Sequence, residues 1–156
     1  MHDLPLVSIV VCSYNNARYV ADTLESIGNQ TYPNIELMIV DDGSTDESVV
    51  LIQQWLATYC GKYKFIQHTE NRGGAHPYNT GLANATGKYY MSVDSDDMIL
   101  PEKTERQVHI LEMAGSKVGA VYSDAYVTDA DGNVTGELFI ARHRKFTTMP
   151  TGNIYA

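Results

Sequence analysis

Leu6-Val7-Ser8-Ile9-Val10-Val11-Cys12 is a nearly unbroken apolar run, rich in β-branched residues, that starts almost at the N-terminus. A strand with one solvated face would alternate polar and apolar positions. This run instead suits a central parallel strand covered on both faces. Parallel neighbours need crossover connections, and those are usually helices. The rest of the chain reads as such a series. Ala17, Val20, Ala21, Leu24 and Ile27 recur at helical spacing, Pro33-Asn34 breaks the pattern, and Ile35 to Val40 supplies a second strand that ends in Asp41-Asp42-Gly43. Ser44 and Glu47 form an S-x-x-E capping box, which predicts a helix with Val49, Ile52, Leu56 and Tyr59 on one side.

Tyr63 to Gln67 reads as a third strand, followed by a polar loop from His68 to Arg72 and the pair Gly73-Gly74. A helix is expected from about Ala75 to Ala85, with Gly87 as its stop. Tyr89, Met91 and Val93 then have the composition of a core strand that breaks into Asp94-Ser95-Asp96-Asp97. Pro101 and Glu102 suit the first turn of a further helix running to about Met113. Val118 to Tyr122 reads as a fifth strand. Tyr126-Val127-Thr128 and Val134-Thr135-Gly136 flank the turn sequence Asp131-Gly132-Asn133 as a hairpin. From Arg142 through Arg144 and Lys145 the chain is basic and irregular. The pattern predicts an α/β fold, a mostly parallel sheet with helices on both faces and right-handed crossovers. Residues 1–140 are expected to form one domain, and 141–156 an irregular basic tail that begins a further region.

In such sheets ligands bind in the crevice at the carboxyl ends of the strands. Asp41 and Asp42 follow the second strand and Asp94, Asp96 and Asp97 the fourth, so all five should face that crevice. Clustered carboxylates repel one another unless a cation lies among them, and hard oxygen ligands suit magnesium or manganese. The plainer reading is a solvated acidic turn that caps the next helix. A net charge of −8 argues against nucleic acid as a partner. No run approaches the length of a membrane-spanning helix, and Met1 to Pro5 lacks the regions of a secretory signal, so a cytoplasmic location is expected. Cys12 and Cys60 have no metal-ligand spacing and read as reduced core thiols. Ser13 to Ala17 carries no glycine fingerprint, there is no Walker lysine, and the Asp-x-Asp of a haloacid-dehalogenase-like phosphatase would belong after the first strand.

Several spaced motifs occur in order: Ser13-Tyr14-Asn15, Ser26-Ile27, Gln30-Thr31-Tyr32, Val40-Asp41-Asp42-Gly43-Ser44-Thr45-Asp46, Asn71-Arg72-Gly73-Gly74, Asn79-Thr80-Gly81-Leu82-Ala83, Gly87-Lys88-Tyr89, and Asp94-Ser95-Asp96-Asp97 with Pro101. Together they resemble a family 2 glycosyltransferase over nearly the whole chain to about Glu137. The resemblance implies a GT-A fold, a nucleotide-diphosphate sugar donor (a UDP-sugar), a Mn²⁺ or Mg²⁺ cofactor and transfer with inversion to an acceptor hydroxyl. The acceptor would be a saccharide or a lipid-linked molecule, with bacterial surface polysaccharide the family's common use. In the full-length protein the domain could be membrane-associated. It further implies that Asp42 accepts a hydrogen bond from the nucleobase and that Tyr14 lies against the base. Arg72 would be near the base or diphosphate, or simply paired with Glu70, and Asn79 would be at the nucleotide site or bonded to a neighbouring loop. Asp96 would be the direct metal ligand, Asp94 would face the donor ribose or sugar, and Asp41 and Asp97 would brace their loops. The family's catalytic base lies in the second half of the domain, so it is expected beyond residue 156, with Asp124 the first position to examine within the chain. The 156 residues alone would then bind donor but transfer poorly. Two other readings share parts of this pattern: a non-catalytic nucleotide-sugar-binding module, and a sugar-phosphate nucleotidyltransferase, which would be expected to carry a glycine-rich basic loop after the first strand.

Overall fold

The computed structural model describes residues 4–139. The basic tail around Arg142, Arg144 and Lys145 lies outside the described residues. The chain divides into two compact units, Met1–Thr104 and Glu105–Ala156.

The first unit is built on a four-stranded parallel sheet, β1 (Val7–Ser13), β2 (Ile35–Asp41), β3 (Lys62–Gln67) and β4 (Tyr89–Asp94), in the order β3-β2-β1-β4. The N-terminal apolar run is therefore central, as its composition requires. Ile9, Val10, Val11, Leu37, Ile39 and Val40 have no exposed surface. Burying side chains of this size contributes roughly 1.5–3 kcal/mol each, and that contribution anchors the sheet. Three helices connect the strands: α1 (Val20–Gly28), α2 (Ser48–Leu56) and α3 (Ala75–Asn84). α1 and α2 pack against each other, while α3 lies on β1 and β2. Side chains alternate along β1, so Val10 meets Gly81 of α3 while the fully buried Ile9 and Val11 point to the other face. The α/β fold read from the sequence is the fold observed.

Local details depart from the sequence reading where tertiary contacts override it. Ser44 does not cap α2. The helix begins at Ser48 with Glu47 at its N-cap and no side-chain capping bond, because the Ser44 hydroxyl donates to Asp41 Oδ2 at 2.5 Å. Gly87 is not a helix stop either, since α3 ends at Asn84. Gly87 is small because a Cβ there would stand 2.6 Å from Ser8 Oγ and 2.7 Å from Ser8 N. β4 is an edge strand, with Val93 buried, Tyr89 and Met91 half-buried and Tyr90 exposed. Both cysteines are free, Cys12 half-buried and Cys60 exposed rather than in the core.

α4 (Lys103–Ala114) runs from the end of the first unit into the second. In the second unit Val118 to Tyr122 does not form the expected strand; Tyr122 makes an isolated bridge. The hairpin is present as antiparallel β5 (Tyr126–Thr128) and β6 (Val134–Leu138). Its turn is held by Asp129, whose Oδ1 accepts from the N–H groups of Asp131 and Asn133.

Candidate functional site

Four parallel strands end at one edge of the sheet, and the register sets what meets there. Ser13 pairs with Asp41, Cys12 with Asp94, and Asp41 with Gln67. The residues just past those ends are Tyr14, Asp42, the Ser95 loop and His68. The loops after β1 and β2 are tied together by side chains. Asn15 N–H donates to Ser44 Oγ, Thr45 N–H to Asn15 Oδ1, Asn16 N–H to Ser48 Oγ and Ala17 N–H to Asp46 Oδ2. Asn16 also donates from Nδ2 to the buried Ser95 at 2.7 Å, which ties the acidic loop after β4 into the same group.

Asp41 is fully buried and its carboxylate is engaged by Ser44 N–H and Oγ, a bracing role. Asp42 is different. It is 2% exposed, yet it lines a crevice of about 200 Å³ together with Cys12, Ser13, Tyr14, Asn71, Gly73 and Tyr78. Burial alone would raise its pKa, but hydrogen bonds from His68 and from the N–H groups of Gly73 and Arg72 outweigh it and hold the carboxyl below its ordinary value. It is therefore a carboxylate, and the 2.6 Å contact to His68 Nδ1 is an imidazole N–H donating to Oδ1. His68 Nε2 lies 3.1 Å from Thr80 Oγ1, which fixes the other edge of the ring. Gly43 makes this approach possible. At φ +76° it has no Cβ, and one would stand 2.6 Å from the carbonyl carbon of Glu70.

Ser13 Oγ is buried and has no hydrogen-bond partner. Tyr14 presents its ring beside it, 45% exposed. The Cys12 thiol is pushed up to about 12 by burial and then by the charges of Asp94 and Asp42, so it stays neutral.

The other candidates are Arg72, Asn79, the acids at the end of β4 and Asp124. The Arg72 side chain is half exposed, with one guanidinium nitrogen 3.3 Å from His76 Nε2 and another 3.9 Å from Glu70. An exposed pair of that length contributes little to stability. Asn79 is exposed on α3; its neighbour Tyr78 lines the crevice and donates its phenol hydrogen to Asp94 Oδ1. Asp94 ends β4, Asp96 and Asp97 follow it, and all three are exposed. Asp94 is pushed up by burial and by Asp96, and Asp97 by burial and by both other acids. Asp124, in the second unit, accepts from Ala125 N–H. His68 and Tyr78 escaped the sequence reading. For His68 the available signal was its position directly after β3, at the same edge as Asp42.

A larger hollow of about 710 Å³ lies between α1, α2 and the first residues of β2 and β3, at the opposite end of the strands. Its lining includes Trp55 and Tyr59 but none of the strand-end acids. Among the described residues, the three side chains whose ligand atoms lie within 4.8 Å of one another are Asp42, His68 and His76. An ion bonded to both Asp42 and His68 at about 2.0–2.2 Å would hold them further apart than 2.6 Å. A shared proton accounts for that contact.

Glycosyl transferase family 2 matches residues 8–154. The chain belongs to that family. EpsE of Bacillus subtilis strain 168, named as a glycosyltransferase, is 39% identical over 112 residues, which cover 72% of this chain and 40% of EpsE. An uncharacterized glycosyltransferase of Haemophilus influenzae is 32% identical over 151 residues, covering 97% of this chain and 59% of that protein. S. aureus TarS 1–349, solved in complex with UDP-GlcNAc, superimposes with a TM-score of 0.71 at 28% identity, over 79% of this chain and 35% of that one. The mannosyltransferase PcManGT from Pyrobaculum calidifontis, solved with GDP-Man and Mn²⁺, gives 0.70 at 30% identity, over 81% and 37%. The chain thus spans less than two thirds of the length of each of these proteins. The GT-A fold expected from the sequence is the fold of these structures. The acids at the end of β4 are hard, solvent-facing oxygen donors of the kind a divalent cation takes, and burial followed by their neighbours' charges raises Asp94 and Asp97, but among the described residues their ligand atoms are not gathered within 4.8 Å of one another.

Proposed function

We propose that this domain binds a nucleoside diphosphate sugar, with uracil as the base, in the crevice at the ends of β1, β2 and β4, and serves its transfer with inversion to an acceptor hydroxyl. The observation that carries this reading is the buried, anionic Asp42 lining a crevice at the strand ends beside the half-exposed Tyr14. Tyr14 offers a ring face to a planar base, and Asp42 offers an acceptor to a base N–H. Asp94, held by Tyr78, faces the donor ribose or sugar. Arg72 is assigned near the base or diphosphate, and Asn79 to the nucleotide site. Asp96 is assigned as the ligand of Mn²⁺ or Mg²⁺, with Asp97 bracing its loop through an N–H donated to the Asp94 carbonyl. When bound, that ion supplies Lewis-acid stabilisation of the charge that develops on the leaving diphosphate.

The complexes of TarS with UDP-GlcNAc and of PcManGT with GDP-Man and Mn²⁺ support a nucleotide-sugar donor and a divalent ion. The acceptor belongs to the class of saccharides or lipid-linked saccharides. The test is calorimetric titration of UDP in Mn²⁺ and in chelator. Binding only with metal supports the reading, and equal affinity in both buffers removes the metal from it.

A further inference from the structure

We infer that His68 sets which nucleobase Asp42 accepts, by filling one acceptor position and leaving a single one for the ligand. This rests on the reading of Asp42 as the acceptor for a base N–H. A carboxylate has about four lone-pair positions. Three are already taken within the protein: Oδ2 accepts from Arg72 N–H at 3.0 Å and from Gly73 N–H at 2.8 Å, and Oδ1 accepts from His68 Nδ1 at 2.6 Å. The remaining lone pair is on Oδ1.

One acceptor position suits a base edge with one N–H, such as the imide of uracil. Guanine presents two adjacent donors, its N1–H and its 2-amino group, and wants two acceptors side by side. With Oδ2 saturated by the backbone and one Oδ1 position filled by His68, a single acceptor position is left and the second guanine donor would be buried without a partner, which costs about tenfold in affinity; without His68, Oδ1 would offer two positions. His68 makes the restriction rigid. Its backbone N–H is bonded to Asp41 O at 2.8 Å, its ring is held between Asp42 Oδ1 and Thr80 Oγ1, and the Arg72 and Gly73 N–H groups keep the carboxylate from turning. His68 is thus a specificity-determining residue that acts through Asp42, not a catalytic one.

Purine size would also disfavour guanine, so the test uses a purine with one donor. Inosine diphosphate has the N1–H of guanine and no 2-amino group. UDP, IDP and GDP are titrated calorimetrically in saturating Mn²⁺ into the wild type, His68→Ala, His68→Asn and Asp42→Asn, with thermal melting to establish that each variant is folded. The wild type should bind IDP about tenfold more tightly than GDP. His68→Ala should narrow that gap, and His68→Asn, whose amide N–H can replace Nδ1–H, should keep it. Equal IDP and GDP affinities in the wild type, or a gap that survives in His68→Ala, would overturn the inference. The underlying reading fails separately: Asp42→Asn binding UDP like the wild type would remove Asp42 from base recognition altogether.

Discussion

Glu36 on β2 accepts from both the backbone N–H of Thr86, at 2.6 Å, and its hydroxyl, at 2.8 Å, across fifty residues of chain. The same buried carboxylate accepts from Ser8 Oγ at 2.6 Å and from Gly87 N–H at 3.1 Å, with Lys62 Nζ at 3.2 Å. This network fastens the turn between α3 and β4 to β1 and β2, and so fixes where β4 delivers Asp94. Burial alone would raise Glu36, but the bonds from Ser8, Thr86 and Lys62 overcome it and hold the pKa at about 2. In the unfolded chain it returns to about 4.5, so between those values the unfolded state binds more protons. Glu36 therefore stabilises the fold fully above about pH 4.5, and the contribution, about 3 kcal/mol, is lost as pH falls toward 2. Denaturant titrations from pH 6 to 2.5 should show a steep acid limb that is much shallower in Glu36→Gln. An unchanged limb would place the acid sensitivity elsewhere.

Gly43→Ala tests the close approach that lets Asp42 reach the loop after β3. The new methyl would meet the Glu70 carbonyl carbon and Asn71 N at a backbone φ that alanine disfavours. Overpacking of this kind costs about 1–3 kcal/mol. Because the displaced segment carries the Arg72 and Gly73 N–H groups, UDP affinity should fall in the variant even at temperatures where it is fully folded. Wild-type affinity in the folded variant would show that the loop tolerates displacement.

The strands and the acid-bearing ends were legible because their signal is local: Val7 to Ser13 and Ile35 to Asp41 are apolar runs whose neighbours must be parallel. What the sequence could not supply was partners. Ser44 and Glu47 match a capping pattern, but Asp41 stands three residues upstream and takes the Ser44 hydroxyl. Val118 to Tyr122 has strand composition but makes only an isolated bridge. Glu36 reads as an interruption of an apolar strand until Thr86 and Gly87 are brought to it. In the site, Asp42 and Tyr14 could be named from motif and position, whereas His68 and Tyr78 act through contacts spanning 26 and 16 residues.

Tyr78→Phe removes only the hydroxyl that donates to Asp94. The ring still lines the crevice, so the fold should be unaffected. Losing one hydrogen bond to a charged group costs about 1.5–3 kcal/mol at most, and Asp94 is exposed enough for water to replace part of it. UDP should therefore bind a few-fold to tenfold more weakly, with the larger loss in UDP-sugar if Asp94 faces the sugar. A variant that binds both ligands normally would show that the phenol does not position Asp94.

Asp96 and Asp97 separate metal ligation from loop support. Both are exposed and one residue apart, but Asp97 donates its N–H to the Asp94 carbonyl, and its carboxyl is raised by burial and by both neighbouring acids. Its removal relieves repulsion between its neighbours. Asp96→Ala should abolish the dependence of UDP binding on Mn²⁺, leaving the weak affinity that the wild type shows in chelator. Asp97→Ala should keep the metal dependence with a smaller loss of affinity, and its melting temperature in metal-free buffer should be equal to or above that of the wild type. The measurement is UDP affinity across a Mn²⁺ series for the two variants and the wild type. If Asp97→Ala loses the metal response while Asp96→Ala keeps it, the two assignments are reversed.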